Sequence, residues 1–459
     1  MAAFRNLKSS SLTRSFIGCL KGHLKHSQNY SATLPRLTEV FKRTYTLEIN
    51  ELGQIQQINR RKSSSNGLGN LDDGGPEPMY DKVNSGYQIF HSKEAFKFFG
   101  GGEIPELVLA YETWGELNKG KDNVILLFTG LSPSSHARSH QENPNPGWWE
   151  RFIGHGCALD TDKFFVICVN VIGGCYGSSG PSSINPLTGK HYGTTFPCVR
   201  VQDIITSQFL LLDYLGINTI HGSVGSSLGG MSSLLAAAMF PNRVKRVVSI
   251  SSCAQSHPSS IAQRYIQRQV LMSDPNWNNG FYYDGPFPFL GMKNARSIAT
   301  ASYRSGQEWE TRFGRRKIEK PREGQTNPCL GAEFMIEGYL DHQGESFCLK
   351  YDPNSMLYIS KAMDLFDLGD GCSSIIEGVS RIKCPSLIMG VQSDLLFPVQ
   401  QQRELEVLLK ESGNHSVTYY ELPSIFGHDT FLLDVNAVAA AIKGHLETDL
   451  TFVGKKSKS

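Results

Sequence analysis

The sequence predicts an α/β fold: a mostly parallel sheet with helices on both faces and an inserted helical lid domain. Three observations lead there. Short apolar, β-rich runs alternate with helical patterns from about residue 105 onward. One such run ends in a glycine-framed serine and is followed by an Ala/Leu-rich segment. The alternation breaks over residues 253–380 and then resumes. Strands that are apolar on both faces require helical crossovers to cover them, which is the signature of a parallel sheet.

Taken in order, the folded body begins near "YQIFHSKEAF", and "ELVLAYETWG" reads as a strand ending in a turn. The runs "NVILLFTG" (123–130) and "FFVICVNVI" (164–172) are buried strands, followed by a helix over 201–217. Next come the strand "TIHGSVGSS" (219–227), a helix in "GGMSSLLAAAMFP" and the strand "VKRVVSISS" (244–252). The interval 253–380 is helix-like and rich in aromatic residues, Arg and Pro; it far exceeds a normal loop and is expected to be a lid at the C-terminal edge of the sheet. Beyond it stand the strand "CPSLIMGVQSD" (384–394), a helix over 399–411, the strand "VTYYELPS" (417–424) and a last helix starting near 430. The core is thus divided into 81–252 and 381–450, with a short basic tail at 451–459.

Charge is uneven along the chain. Residues 1–43 hold eight Lys or Arg and one acid, Glu39, whereas the rest carries 37 basic against 42 acidic residues. The leader is also rich in Ser and Thr, and Phe16, Ile17, Leu20 and Leu24 fall near one helical face. Residues 1–45 are therefore expected to be a mitochondrial transit peptide, drawn inward by the matrix-negative potential. The Ser/Gly/Pro/Asp-rich stretch within 46–80 reads as a disordered linker. The near-neutral body suggests no nucleic-acid partner, and no run of about 18 apolar residues suggests a membrane span. Ten cysteines are scattered singly, with no C-x-x-C or H-E-x-x-H pattern, so reduced thiols are expected rather than a disulfide framework or a metal site.

The chemistry is expected at "SVGSSLGGM" (223–231). A nucleophile on a strained strand-to-helix turn needs glycine two residues before and two after it, because neighbouring backbone comes too close for a Cβ. Only Ser227, framed by Gly225 and Gly229, meets that spacing; Ser226 and Ser223 do not. A base and an acid are expected after later strands, in the chain order Ser, acid, His. Asp394 directly follows "LIMGVQS", and His428 comes 34 residues later in "FGHDTF". His428 would take the Ser227 proton while Asp394 fixes the imidazole tautomer. Asp429 is a poor triad acid, since adjacent residues at a helix start point in different directions. The expected oxyanion donors are the backbone N–H of Leu228 and one from the end of "VILLFTG", near Phe128. A triad implies acyl transfer through an acyl-serine but leaves the acceptor open between water and an alcohol.

Longer motifs narrow that choice. "AYETWGELN", "FTGLSPSSHA", "NPGWWE", "GSSLGGM", "QRQVLMSDPNW", "ARSIATASYRSG", "SDLLFPVQQ" and "GHDTFLL" span roughly residues 87–445. In these the chain resembles the homoserine and serine O-acyltransferases of the α/β-hydrolase fold, within them the fungal-type mitochondrial branch described as L-serine O-acetyltransferase. The resemblance implies an α/β-hydrolase fold and a ping-pong reaction with no bound cofactor. Acetyl-CoA would acylate Ser227, and the hydroxyl of L-serine, or alternatively L-homoserine, would then attack. It further implies that Arg268 in "QRQ" binds the amino-acid carboxylate, that Asp429 in "GHD" binds its ammonium, and that the protein is a homodimer formed through the lid helices. One departure is Ser179 in "GCYGSSGPSS", where the family commonly has Thr. Serine and homoserine differ by one methylene, worth about 1–3 kcal/mol in a pocket, and a succinyl donor would need a second cation.

Overall fold

The computed structural model describes residues 77–318, 329 and 331–448. The leader expected over 1–45, the linker up to residue 76 and the tail over 451–459 lie outside the described residues. Among the described residues no helix is long and apolar enough to cross a membrane.

Eight strands form the main sheet: β1 (Gln88–Ser92), β2 (Leu107–Trp114), β3 (Val124–Phe128), β4 (Phe165–Val169), β5 (Gly222–Ser226), β6 (Val247–Ile250), β7 (Ser386–Val391) and β8 (Val417–Leu422). Their spatial order is β1-β2-β4-β3-β5-β6-β7-β8. β2 runs antiparallel to β1 and β4, and every pair from β4 to β8 is parallel, as the runs of apolar residues predicted. β1 is the strand that sequence patterning did not mark; it is half-exposed, so its apolar signal is weak.

The α-helices of at least six residues among the described residues are, in chain order, α1 (Val201–Tyr214), α2 (Leu228–Met239), α3 (Pro258–Met272), α4 (Phe289–Tyr303), α5 (Gly306–Arg312), α6 (Met335–Cys348), α7 (Pro353–Asp364), α8 (Ile375–Ser380), α9 (Val399–Glu411) and α10 (Val435–Glu447). Alternation along β3 shows how both sheet faces are filled. Val124, Leu126 and Phe128 join a core with Ile204 of α1, Leu234 of α2 and Leu405 of α9. Ile125 and Leu127 join the opposite core with Val438 and Ile442 of α10.

Helices α3 to α8 all fall between β6 and β7. Leu271, Phe287, Met292, Phe347 and Met356 form a third apolar cluster there. α7 belongs to two clusters: Met356 and Leu357 pack in the third, whereas Ile359, Ala362 and Met363 pack in the first sheet core. Asp352 starts α7 by accepting from Ser355 N–H at 2.6 Å and also takes the Tyr282 hydroxyl at 2.6 Å. Tyr351 donates its hydroxyl to the Leu131 carbonyl at 2.7 Å, tying this region to the loop after β3.

The register Gly225↔Phe128 and Ser226↔Ile250 brings the end of β5 level with its neighbours, so Ser227 stands just past the C-terminal edge of the sheet. Its backbone has φ 57° and ψ −123°, a conformation side-chain-bearing residues rarely adopt. The flanking glycines make it possible: a Cβ on Gly225 would collide with the Gly229 carbonyl, and one on Gly229 would collide with the Phe128 carbonyl oxygen. Gly225→Ala is expected to cost roughly 1–3 kcal/mol or more, seen as a lower urea midpoint with an unchanged slope. A wild-type midpoint would contradict the packing described for the turn.

Candidate active site

The turn after β5 puts Ser227 on the wall of a cavity of about 190 Å³ whose other walls include Gly130–Pro133 after β3, Trp148, residues of α3 and α4, and His428–Asp429. Ser227 is 7% exposed and starts α2, so the N–H of the next residue, Leu228, belongs to the first turn of that helix, where backbone donors lack helical acceptors.

His428 lies in a short turn (Gly427–Asp429) beyond β8 and lines the same cavity. Its Nδ1 bonds Asp394 Oδ2 at 2.8 Å, so Nε2 is left for the cavity side. Asp394 is buried beyond β7, and its Oδ1 accepts the N–H groups of Leu396 at 2.9 Å and Phe397 at 2.8 Å. The imidazole is held from two sides, with Phe397 stacked at 5.3 Å and Phe431 edge-on at 5.6 Å. Burial works against the charged ring, but the Asp394 carboxylate, with Asp429 behind it, outweighs burial and raises His428 above the ordinary histidine value. Gly427 has φ +64°, and a Cβ there would press on the Tyr303 carbonyl at 2.8 Å.

Charged groups gather opposite the serine. On α3, Arg264 Nε pairs with Asp364 Oδ1 at 2.6 Å, and Arg268 Nη2 pairs with the other oxygen of that carboxylate at 2.5 Å. One buried carboxylate thus serves two buried guanidinium groups, which leaves a net positive charge beside the cavity. Arg264 Nη1 and Gln267 Nε2 are buried on the cavity-lining stretch of α3 and find no hydrogen-bond partner among the described residues. On α4, Arg296 lines the cavity with its guanidinium over the Phe347 ring at 4.3 Å and Nη1 3.4 Å from the Tyr303 hydroxyl. Its buried Nε also lacks a partner among the described residues. Asp429 Oδ2 pairs with Arg304 Nε at 2.8 Å.

Arg268 and Phe128, both expected at the site, are not among the residues lining the cavity. The Arg268 guanidinium meets Asp364 and, at 2.8 Å, Ser360 Oγ. Arg264, one turn earlier on the same face of α3, and Arg296 line the cavity instead. Phe128 is fully buried as the last residue of β3, with its near neighbours Gly130 and Leu131 on the wall. Asp429 does line the cavity, and Asp394 and His428 are brought together.

A buried network that sequence reading missed holds the wall after β3. Glu112 on β2 accepts Ser135 Oγ, His136 Nδ1 and His140 Nε2, each at 2.7 Å. Glu112, His136 and His140 lie close enough to hold a metal ion; as hydrogen-bonded here, each ring turns one nitrogen to Glu112. His136 Nε2 also faces the Asn145 carbonyl at 2.7 Å, and His140 Nδ1 accepts the Glu142 N–H at 3.2 Å. Burial disfavours a charged His136, but hydrogen bonds to Glu112 and to that carbonyl outweigh it and raise its pKa. The cluster is a hydrogen-bonded fastener for the cavity wall.

Because His428 must be neutral to accept a proton, the acid limb of kcat/KM for acylation is expected above the ordinary histidine value. Asp394→Asn should move that limb to lower pH and reduce the rate by orders of magnitude. A limb that stays in place in Asp394→Asn would show that another group governs it.

Comparison with known proteins gives a consistent picture. The α/β hydrolase fold family matches residues 123–434. Serine O-succinyltransferase from Emericella nidulans is 49% identical over 436 residues, covering 81% of this chain and 83% of the relative. Among solved structures, homoserine O-acetyltransferase from Bacillus anthracis superposes with a TM-score of 0.73 at 28% identity, covering 79% of this chain and 98% of that one. Esterase E22 superposes with a TM-score of 0.72 at 30% identity, covering 79% and 100%.

Proposed function

The chain belongs to the homoserine and serine O-acyltransferases of the α/β-hydrolase fold, and from that premise we propose that it transfers a succinyl group from succinyl-CoA to the hydroxyl of L-serine. One observation carries the choice of donor. Asp364 is shared by Arg264 and Arg268, so this trio keeps one net buried positive charge, and Arg264 Nη1 has no hydrogen-bond partner among the described residues. A buried cation in that state favours a bound anion strongly. Arg296 supplies a second guanidinium for the carboxylate of the amino acid, and Asp429 an acid for its ammonium. Two carboxylates therefore find two arginines, as a succinyl donor with an amino-acid acceptor requires. The acetyl donor expected earlier leaves Arg264 unanswered. The name of the Emericella nidulans relative supports the same reading.

The reaction runs in two matched halves. Ser227 Oγ attacks the thioester carbonyl while its proton passes to His428, whose cation is stabilised by Asp394. The oxyanion is received by the Leu228 N–H and by backbone of the Gly130–Leu131 turn. Collapse expels CoA, which leaves with the proton from His428, and the acyl group stays on Ser227. The serine hydroxyl then attacks the ester, gives its proton to His428, and the second collapse returns that proton to Ser227 as O-succinylserine departs.

CoA release followed with succinyl-CoA or acetyl-CoA, and with serine, homoserine or no amino acid, tests the assignment. Succinyl-CoA with serine is expected to give the highest kcat/KM, and sustained release is expected only when an amino acid is present. Faster turnover with acetyl-CoA would overturn the donor assignment, and equal release without amino acid would make the protein an esterase. Arg264→Met removes a charge-assisted contact of roughly 1.5–3 kcal/mol. It should lower kcat/KM for succinyl-CoA about ten- to hundred-fold while changing acetyl-CoA much less. Equal losses with both donors would sink the carboxylate role.

A further inference from the structure

Asp429 faces the cavity beside His428, yet it is tied to a residue that does not line that cavity. Arg304 Nε meets Asp429 Oδ2 at 2.8 Å. Arg304 is held in turn: its Nη1 lies 3.3 Å from Glu308 Oε1, and the same oxygen lies 3.8 Å from Arg312 Nη1. The charges alternate in sign along Asp429, Arg304, Glu308 and Arg312, so Glu308 offsets Arg304 and the Asp429 carboxylate keeps its pull on a cation. Glu308 is buried, and the Arg304 side chain is 14% exposed, so the chain is shielded far more than a surface ion pair.

The backbone around this chain is fixed as well. Ser305 donates its hydroxyl to the Ile425 carbonyl and caps α5 by accepting the Glu308 N–H at 3.1 Å. The missing side chain of Gly427 lets the backbone at Tyr303 and Arg304 lie directly against the turn that carries His428. Arg304 closes the C-terminal end of α4, the helix that presents Arg296 two turns earlier. A single helix thus sets both poles of a zwitterion site: Arg296 directly, and Asp429 through Arg304.

We infer that Arg304 is a positioning residue for the amino-acid acceptor: it engages Asp429 Oδ2 and thereby aims Oδ1 at the acceptor's ammonium group, without touching substrate itself. The inference rests on the reading of Asp429 given above. It predicts an effect confined to the second half-reaction, because the acyl donor carries no ammonium to be received there.

The experiment measures, in the full-length enzyme, the burst of CoA release with succinyl-CoA alone and the steady-state KM for serine in Arg304→Met, Arg304→Lys, Asp429→Asn and the Arg304→Met/Asp429→Asn double variant. Arg304→Met is expected to raise the serine KM about ten-fold with a burst of normal amplitude and rate, which also reports an intact fold. Arg304→Lys, which keeps the charge, should recover part of that loss. In the Asp429→Asn background Arg304→Met should add little, since the two act as one unit. A full additional ten-fold rise in that background, a normal KM in Arg304→Met, or a slowed burst would overturn the inference while leaving Asp429 as the ammonium contact. A normal serine KM in Asp429→Asn alone would overturn the reading of Asp429, and the inference with it.

Discussion

The backbone turn at Ser227 is the constraint on which the rest of the site depends. With φ at 57° and ψ at −123°, it reverses the chain between the end of β5 and the start of α2 in a single residue. That reversal points the side chain away from the sheet and leaves the first N–H groups of α2 beside it. The conformation persists because Gly225, Gly229 and Phe128 are in backbone contact where any Cβ would intervene. Small side chains on β5 and the helix behind it maintain the contact: Ser233 Oγ donates to the Ser223 carbonyl at 2.6 Å and reaches the Val248 carbonyl at 3.0 Å. Strain at the nucleophile is therefore stored against a rigid sheet edge.

Around that fixed point the protein divides its electrostatic work between two bodies of residues. The core supplies the proton path, with Asp394 and His428 delivered from the ends of β7 and β8. The helices between β6 and β7 bring Arg264 and Arg296 to the cavity, and the turn beyond β8 brings Asp429. Their balance is uneven, because the single Asp364 carboxylate answers both Arg264 and Arg268, so the trio carries one net positive charge. Arg264, Arg296 and Asp429 line the cavity, and in the proposed reading these charges are what would favour an amino-acid acceptor over water.

How far the sequence carried this account follows from how local each determinant is. The turn was legible because its steric demand is written within five residues, from Gly225 to Gly229. The alternating sheet was legible because strands such as "VILLF" are buried on both faces, and Asp394 and His428 followed from chain order. Which arginine lines the cavity was not legible: Arg264 and Arg268 share one face of α3 and both meet Asp364 on the distant α7, where Ser360 takes Arg268 as well. The cavity wall starts at Gly130 and Leu131, two to three residues past Phe128, because a strand's end in sequence does not mark where its following turn bends. Glu112 gave no signal, since a lone acid in an apolar strand becomes meaningful only when His136 and His140 fold over it.

The central claim is that Ser227 carries the acyl group between two charged substrates. Mass spectrometry of the enzyme mixed with succinyl-CoA alone, then chased with L-serine, tests it most directly. One succinyl group is expected on the peptide containing Ser227, absent in Ser227→Ala and discharged by serine much faster than by water. A succinyl group on any other residue, or discharge at the same rate with and without serine, would contradict it.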